Sequence, residues 1–410
     1  MSLHRWYRIS GDRPDLDLPP TRIGTRYLQD NDPAHDEKLN PARGSKEFLR
    51  RALGRPVRAP WSGESGFAAI TEAWNGAAFA SGFGASGSMI IFGGGHNDYF
   101  GSDVHAFDLA TREWSRVSDG YVSGAADDYG AGAMYPDSIY PNGSPLPPHT
   151  YNYVQYDPQG NDYILFKGQI ELGPNVKALP VPHMFNLDSL TWRKGPRHPS
   201  AILNSGGWTT WDASRRLIWG HSGDAGGGNA FIAFCPDGAN GDGSFGSWGT
   251  HYPNKLPDAA DHNAMQIDPI RDIIVITVSA SDSLYALDPN QPEMPMIPLK
   301  SAGQKPRLSE FAALDYASNL DRLIYYSAND GGRIYSIAPP AESLTRNTWR
   351  WKAIVAEDSL DPVADAAAIS KHHVNRSHTF GRFRVARYGE IDLAILVRHV
   401  DTPVYALRLS

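Results

Sequence analysis

Short apolar runs recur along the chain, each bounded by Gly, Asp, Asn or Pro. Their length and β-branched content read as buried strands, and none approaches the ~18 apolar residues of a membrane-spanning helix. One phrase repeats: a short alternating strand, a turn, a strongly apolar strand, a Gly-rich or polar loop, a third strand, and often a fourth strand carrying Trp. The clearest copy runs Ser88 to Gly95, then Asp103 to Asp108, then Glu113 to Val117. The second is Tyr151–Asp157, Asp162–Gly168, His183–Asp188 and Thr191–Arg193. The third is Trp208–Asp212, Arg216–Gly220 and Ala230–Phe234, with Trp248 a candidate for its fourth strand. Asn263–Asp268, Asp272–Val278 and Leu284–Asp288 form the fourth, and Glu310–Asp315, Arg322–Ser327, Arg333–Ile337 and Trp349–Ala353 the fifth. The sixth has Phe380–Ala386, Asp392–Val397 and Val404–Leu409 before the sequence stops at Ser410.

A four-stranded antiparallel sheet cannot bury both its faces alone, so such units pack face to face around an axis. The expectation is an all-β fold: a single β-propeller over residues 1–410, its blades spanning 67–410. The segment Leu3 to Ser10 resembles the fourth strand at Thr111 to Ser118. It is expected to complete the last blade and close the ring, which leaves no open sheet edge at the seam. The pattern supports six blades; a seventh would have to lie within 11–66 or 118–147. The first of these is rich in Pro, Arg and Asp, with one helix expected at Ser45 to Leu53. The second is rich in Gly, Asp, Tyr and Pro and reads as a long loop.

Composition narrows the partners. A net charge of −7 argues against a dedicated nucleic-acid binder. The single Cys235 excludes an intramolecular disulfide and a Cys-based zinc cage. It reads as a small buried residue. The N-terminus lacks the basic region and apolar core of a secretory leader. A secreted or periplasmic location, after removal of a leader, stays open beside a cytoplasmic or surface-associated one. A monomer is expected.

Candidate chemistry gathers at one end of the expected ring. Loops that enter first strands and leave second strands lie at the same end. Entering first strands are Trp74 and Asn75, His149, Tyr151 and Asn152, His262 and Asn263, Arg307 and Glu310, and His378 with Arg382. Leaving second strands are His96, Asn97, Asp98 and Tyr99, Lys167, His221, Asn329 with Asp330, and Arg398 with His399. Many of the chain's 14 histidines therefore share one face. Histidine is the general acid/base suited to neutral pH and a metal ligand. The sequence requires no cofactor. Calcium or zinc could bind through His96 with Asp98, or through His372, His373 and His378. Neighbouring His372 and His373 point oppositely in extended chain, which disfavours chelation by both. Other features read as structural: Asp157, Asp188, Asp268, Asp288 and Asp315 as turn formers, Trp114, Trp192 and Trp349 as packing residues, and His105 and His183 as strand residues.

No motif pairs two carboxylates as ordinary glycosidases require. Phe92 to Gly95 followed by His105 to Trp114 resembles kelch-type propellers. On that scaffold a galactose-oxidase-like copper enzyme would need a Tyr crosslinked to Cys, for which only Cys235 is available. Trp74-Asn75-Gly76, Gly93 to Tyr99 and Pro148 to Asn152 resemble the propeller-fold polysaccharide lyases of the ulvan lyase type. That resemblance implies β-elimination on a uronic-acid polysaccharide. A cation or amide neutralises the carboxylate, a base removes the C5 proton, and an acid protonates the leaving oxygen. His96 and His149 are the expected acid/base pair, with Tyr151 the alternative proton donor. Arg382, Asn97 or Asn152 would neutralise the carboxylate. Trp74, Asn75, Tyr99, His221, His262, Asn263 and His378 would bind substrate. The partner expected is an acidic polysaccharide, not nucleic acid or a membrane interior. The alternative is a glycan- or protein-binding propeller, such as a surface adhesin, using the same face without turnover.

Overall fold

The computed structural model describes residues 1–11, 21, 69–72, 74–94, 102–118, 138–140, 142–172, 175–199, 206–221, 231–252, 262–369 and 379–410. These form a six-bladed propeller. The innermost strands, from the first blade to the sixth, are Ala77–Ala80, Val154–Asp157, Trp208–Asp212, Ala264–Asp268, Ala313–Ala317 and Phe383–Tyr388. Each heads a run of antiparallel strands in which the chain steps outward to a fourth, and in the fifth blade Ser301–Gly303 adds outside Trp349–Ala353 as a parallel fifth. In the sixth blade that fourth strand is Trp6–Arg8, antiparallel to Val404–Arg408 with Trp6 opposite Leu407. The ring is closed by the N-terminal strand, as the sequence predicts. The count is six, and the expected helix at Ser45 to Leu53 lies outside the described residues.

Side-chain alternation makes the blades stack. In the second strand of the first blade, Met89 and Ile91 pack towards the sixth blade, while Ile90 and Phe92 pack towards the second. In Ile273–Val278, Ile274, Ile276 and Val278 face the third blade and Val275 the fifth. A period of two thus sends one apolar set to each neighbour. The result is six buried clusters, one at each interface between blades.

The lower end of the ring, where inner strands turn into second strands, carries a repeated ionic device. Asp157, Asp212 and Asp268 end their inner strands and accept backbone N–H bonds from Gln159, Ser214 and Ile270. Arg215 joins Asp212 to Asp272 in the next blade, and Arg271 joins Asp268 to Asp321 in the blade after. Asp288 is likewise a turn former, through Asn290 N–H. Asp315 departs from that reading. It lies mid-strand and accepts from the backbone N–H groups of Tyr316 and Val385, bridging the fifth and sixth blades.

Several elements differ from the expected ones. Strands expected from Tyr151, Glu310 and Phe380 begin only at Val154, Ala313 and Phe383. Tyr151, Phe311 and Phe380 have φ of 45°, 65° and 42°, and a left-handed residue cannot continue a strand. Trp248 does lie in a fourth strand, Phe245–Tyr252. The chain also adds a hairpin, Gln169–Leu172 with Asn175–Ala178, and a fourth strand Ile297–Leu299 that lacks Trp. Cys235 lies inside the long third strand Phe231–Ala239, opposite Ser247, and is only partly buried.

Replacing Arg271 by Ala leaves the buried Asp268 carboxylate with backbone partners alone. The expected loss is roughly 1–2 kcal/mol, measured by denaturant unfolding. Arg271 holds Asp321 below the usual carboxylate range, chiefly through their hydrogen bonds. This contribution is therefore full above the unfolded value of about 4 and disappears as pH falls below it. The gap between wild type and Arg271→Ala should close in acid; a gap constant down to the lowest pH would refute the assignment.

Candidate functional site

At the upper end of the ring, each connection entering an inner strand has a left-handed residue: Trp74, Tyr151, Gly206, His262, Phe311 and Phe380, with φ between 42° and 77°, the last followed by Gly381 at 78°. This conformation turns the backbone sharply and lets neighbouring connections bond across the axis. Tyr151 N–H donates to Trp74 O at 2.8 Å, His262 N–H to Gly206 O at 2.6 Å, and Phe311 N–H to His262 O at 2.9 Å. Phe380 N–H donates to Phe311 O at 3.2 Å. A Cβ on Gly76 would overlap the carbonyl oxygens of both Tyr151 and Phe380, so only glycine fits where these connections meet.

Five of the six left-handed residues carry rings, and these close the channel. Tyr151 stacks on His262 at 5.2 Å between centroids, His262 meets Phe311 at 4.7 Å, and Phe311 meets Phe380 at 5.1 Å. Trp74 joins through His149, whose ring stands edge-on to it at 4.7 Å. Each left-handed non-glycine residue costs about 1 kcal/mol or more. Ring contacts worth ~0.5–1.5 kcal/mol each beyond their burial offset that strain.

The plug gathers several residues singled out from the sequence. His149 and Tyr151 are adjacent: His149 Nδ1 lies 3.3 Å from the Tyr151 hydroxyl, which donates to Gln169 Oε1 at 3.0 Å. Both are buried, His149 completely. His262 lies beside them, its pKa lowered by burial to about 4, so it is neutral at pH 7. Asn75, Asn152 and Asn263 are loop braces. Asn75 Oδ1 accepts from Thr150 N–H, Asn152 Nδ2 donates to Asn263 O, and Asn263 Oδ1 accepts from Ser279 N–H. Arg382 is buried, with its guanidinium on the carbonyls of Asn75 and Val397, where it ties the sixth blade to the first. His221 is buried against Trp208, the rings nearly parallel at 4.7 Å. It sits away from the axial set. His96, Asn97, Tyr99 and His378 lie outside the described residues, as do Asp98, His372 and His373. Among the described residues no three His, Cys, Asp or Glu side chains are grouped to hold a metal.

Open space at this end lies off the axis. A cleft of about 770 Å³ runs between the fourth and fifth blades, built from Ser279–Ala280, Lys305–Phe311 and Ser327–Arg333. Phe311 connects it to the plug. Lys305 pairs with Asp282 at 2.7 Å, and Arg333 approaches Asp330 at 3.5 Å. The Tyr335 hydroxyl donates to Asp330, and burial followed by that carboxylate pushes its pKa up to about 12. Ser309 links Tyr325 to Ser327: its backbone N–H donates to the Tyr325 hydroxyl, and its own hydroxyl meets those of Tyr325 and Ser327. Arg307 and Glu310 stand exposed at the cleft. The sequence placed Arg307, Glu310, Asn329 and Asp330 at this end. Lys305, Ser309 and Tyr335 had no signal, since nothing in a strand residue such as Tyr335 marks a cleft wall.

No family model matches the sequence, and no curated protein matches it. Among solved structures, a chain of a nidogen/laminin complex is 10% identical, with a TM-score of 0.38 over 68% of this chain and 85% of that one. A protein of unknown function from Bacteroides thetaiotaomicron is 6% identical, with a TM-score of 0.47 over 81% and 68%.

Gly76→Ala should cost roughly 1–3 kcal/mol, because two fixed backbone oxygens must move. An unchanged melting transition would remove the closure argument. By NMR, the His262 ring should titrate near pH 4. Its depressed pKa adds stability that is full above the unfolded value of about 6.5 and is lost as pH falls towards 4. Titration near 6.5 would contradict the closed plug.

Proposed function

We propose that this propeller binds a carbohydrate in the cleft between its fourth and fifth blades. The observation that carries this reading is the lining. Cationic Lys305, Arg307 and Arg333 alternate with the carboxylates Glu310 and Asp330 and with serine hydroxyls, beside the Phe311 ring. A sugar hydroxyl both donates and accepts, so a surface that mixes carboxylates, cations and hydroxyls suits it better than one of single polarity. An aromatic face accommodates the apolar side of a sugar ring. The size, about 770 Å³, lies within the range for sites holding one or two small rings.

A second reading, β-elimination on a uronic-acid polysaccharide, draws support from Arg307. Its exposed guanidinium could neutralise a uronate carboxylate, the role the sequence suggests for Arg382, which is committed to backbone carbonyls. His149 and Tyr151 have a suitable hydrogen bond but are buried. The base in this reading is therefore His96.

Titration calorimetry with oligosaccharides, neutral and uronate-bearing, tests both. Saturable binding should weaken about tenfold in Arg307→Ala, equivalent to ~1.4 kcal/mol, and persist in a folded His149→Ala variant. Loss in His149→Ala with retention in Arg307→Ala would move the site to the axis and refute the cleft. Ultraviolet absorbance of an unsaturated product, abolished by His96→Ala, would establish the lyase; binding without absorbance change would leave the binding module.

A further inference from the structure

The lower half of the central channel, sealed above by the aromatic plug, forms a second cavity of about 290 Å³. It opens at the lower end, where Ser81 and Pro158 follow their inner strands. By the share of liquid volume per water, it has room for about ten water-sized groups. Most of its walls come from the inner strands themselves.

One wall residue is chemically unusual. Arg384, on the inner strand of the sixth blade, is only 9% exposed. Its Nε donates to Ala77 O at 2.9 Å and its Nη2 to Val154 O at 3.2 Å. Nη1 makes no hydrogen bond among the described residues, and the guanidinium has no ion pair there. The carboxylate that attracts it is Asp315. Both oxygens of Asp315 already accept backbone N–H bonds. A buried cation is costly unless a counter-charge meets it. Arg387, on the same strand and lining the same cavity, adds a second positive charge towards the mouth.

Two wall glutamines add acceptors. Gln155 Nε2 donates to Thr209 O and Oγ1, both at 3.0 Å, and Gln266 Nε2 turns to Ile267 O at 3.4 Å. Each leaves its Oε1 without a partner among the described residues. Trp211 and Tyr156 supply ring surface between them, and the buried Trp211 indole N–H has no partner among the described residues.

We propose that this channel is a binding site for a small hydroxycarboxylic acid. Its carboxylate meets the free edge of Arg384, with Arg387 behind, and its hydroxyl donates to Gln155 or Gln266. The site is separate from the cleft at the upper end and independent of what that cleft binds. An arginine fork suits a planar carboxylate, and the free amide oxygens require a donor on the ligand, which a plain carboxylate lacks.

Titration calorimetry of the full chain with lactate, propionate and inorganic phosphate tests this. Lactate should bind saturably, one per chain, and more tightly than propionate. Gln266→Leu should weaken lactate by roughly threefold to tenfold, the range for one hydrogen bond, and leave propionate unchanged. Arg384→Met, checked for a native melting transition, should abolish both. Absence of saturable lactate binding to the wild-type chain would mean that the channel holds water alone, and would overturn the proposal. So would tighter binding of phosphate than lactate, or lactate binding retained in folded Arg384→Met. Should Arg384→Met not fold, the wild-type titrations and Gln266→Leu decide the matter by themselves.

Discussion

The fold depends on the meeting of left-handed backbone turns at the axis. Apolar alternation brings blades together but does not fix how many, because each interface repeats the same packing. The connections entering the inner strands do fix a closed ring, since Tyr151 must reach Trp74, His262 must reach Gly206, and Phe311 and Phe380 must follow. Gly76 marks how tight that closure is. Trp6–Arg8 closes the ring at its rim, where the Trp6 indole donates to Gly332 O and Arg8 pairs with Asp365. Axis and rim together leave the sixth blade no freedom to open.

Closing the axis with aromatics has a consequence for function. Rings from five blades occupy the place where an axial ligand would sit at the upper end. Space for a ligand is displaced outward, into the cleft between the fourth and fifth blades, and downward, into the lower channel. Burial that makes His149 and Tyr151 good plug residues also removes the water access that acid–base chemistry on a polysaccharide demands. Neutral His262 fits the same picture, since a charged imidazole among Tyr151, Phe311 and Phe380 would be poorly solvated.

The blades were legible because their signal is periodic. Ile273–Val278 is apolar at every position save Thr277, as a strand sandwiched between two neighbours must be. The closing segment was legible because Trp6 repeats the outer-strand pattern of Trp114. Inner-strand starts were not, because nothing about Tyr151, Phe311 or Phe380 announces a positive φ, and each looks like a β-former. The histidines misled in a related way. His149 and His262 stand at loop positions where exposure is the rule, yet here those loops converge on one another and bury them. Turn chemistry was legible at Asp157, Asp268 and Asp288 and failed at Asp315, whose partner Val385 is distant in sequence.

Asp315 shows where the repeat breaks and why the break matters. The second, third and fourth blades end their inner strands with an Asp that caps its own turn. The fifth ends at Ala317, and its turn is capped instead by Asp392 of the sixth blade, which accepts from Asn319 and Leu320 N–H. Asp315 is thereby released to face the channel, two residues earlier, on the side occupied by Arg384. The sixth blade breaks the pattern too, placing Arg382 just before its inner strand and Arg384 and Arg387 on it. Arg382 finds backbone carbonyls for its guanidinium and acts as a staple between blades. Arg384 finds only two, and one edge stays open to the cavity. In a ring of near-equivalent blades, stability is served by uniformity. A buried guanidinium at one deviant seam, with one edge unmatched within the protein, is explained better by a ligand than by the fold.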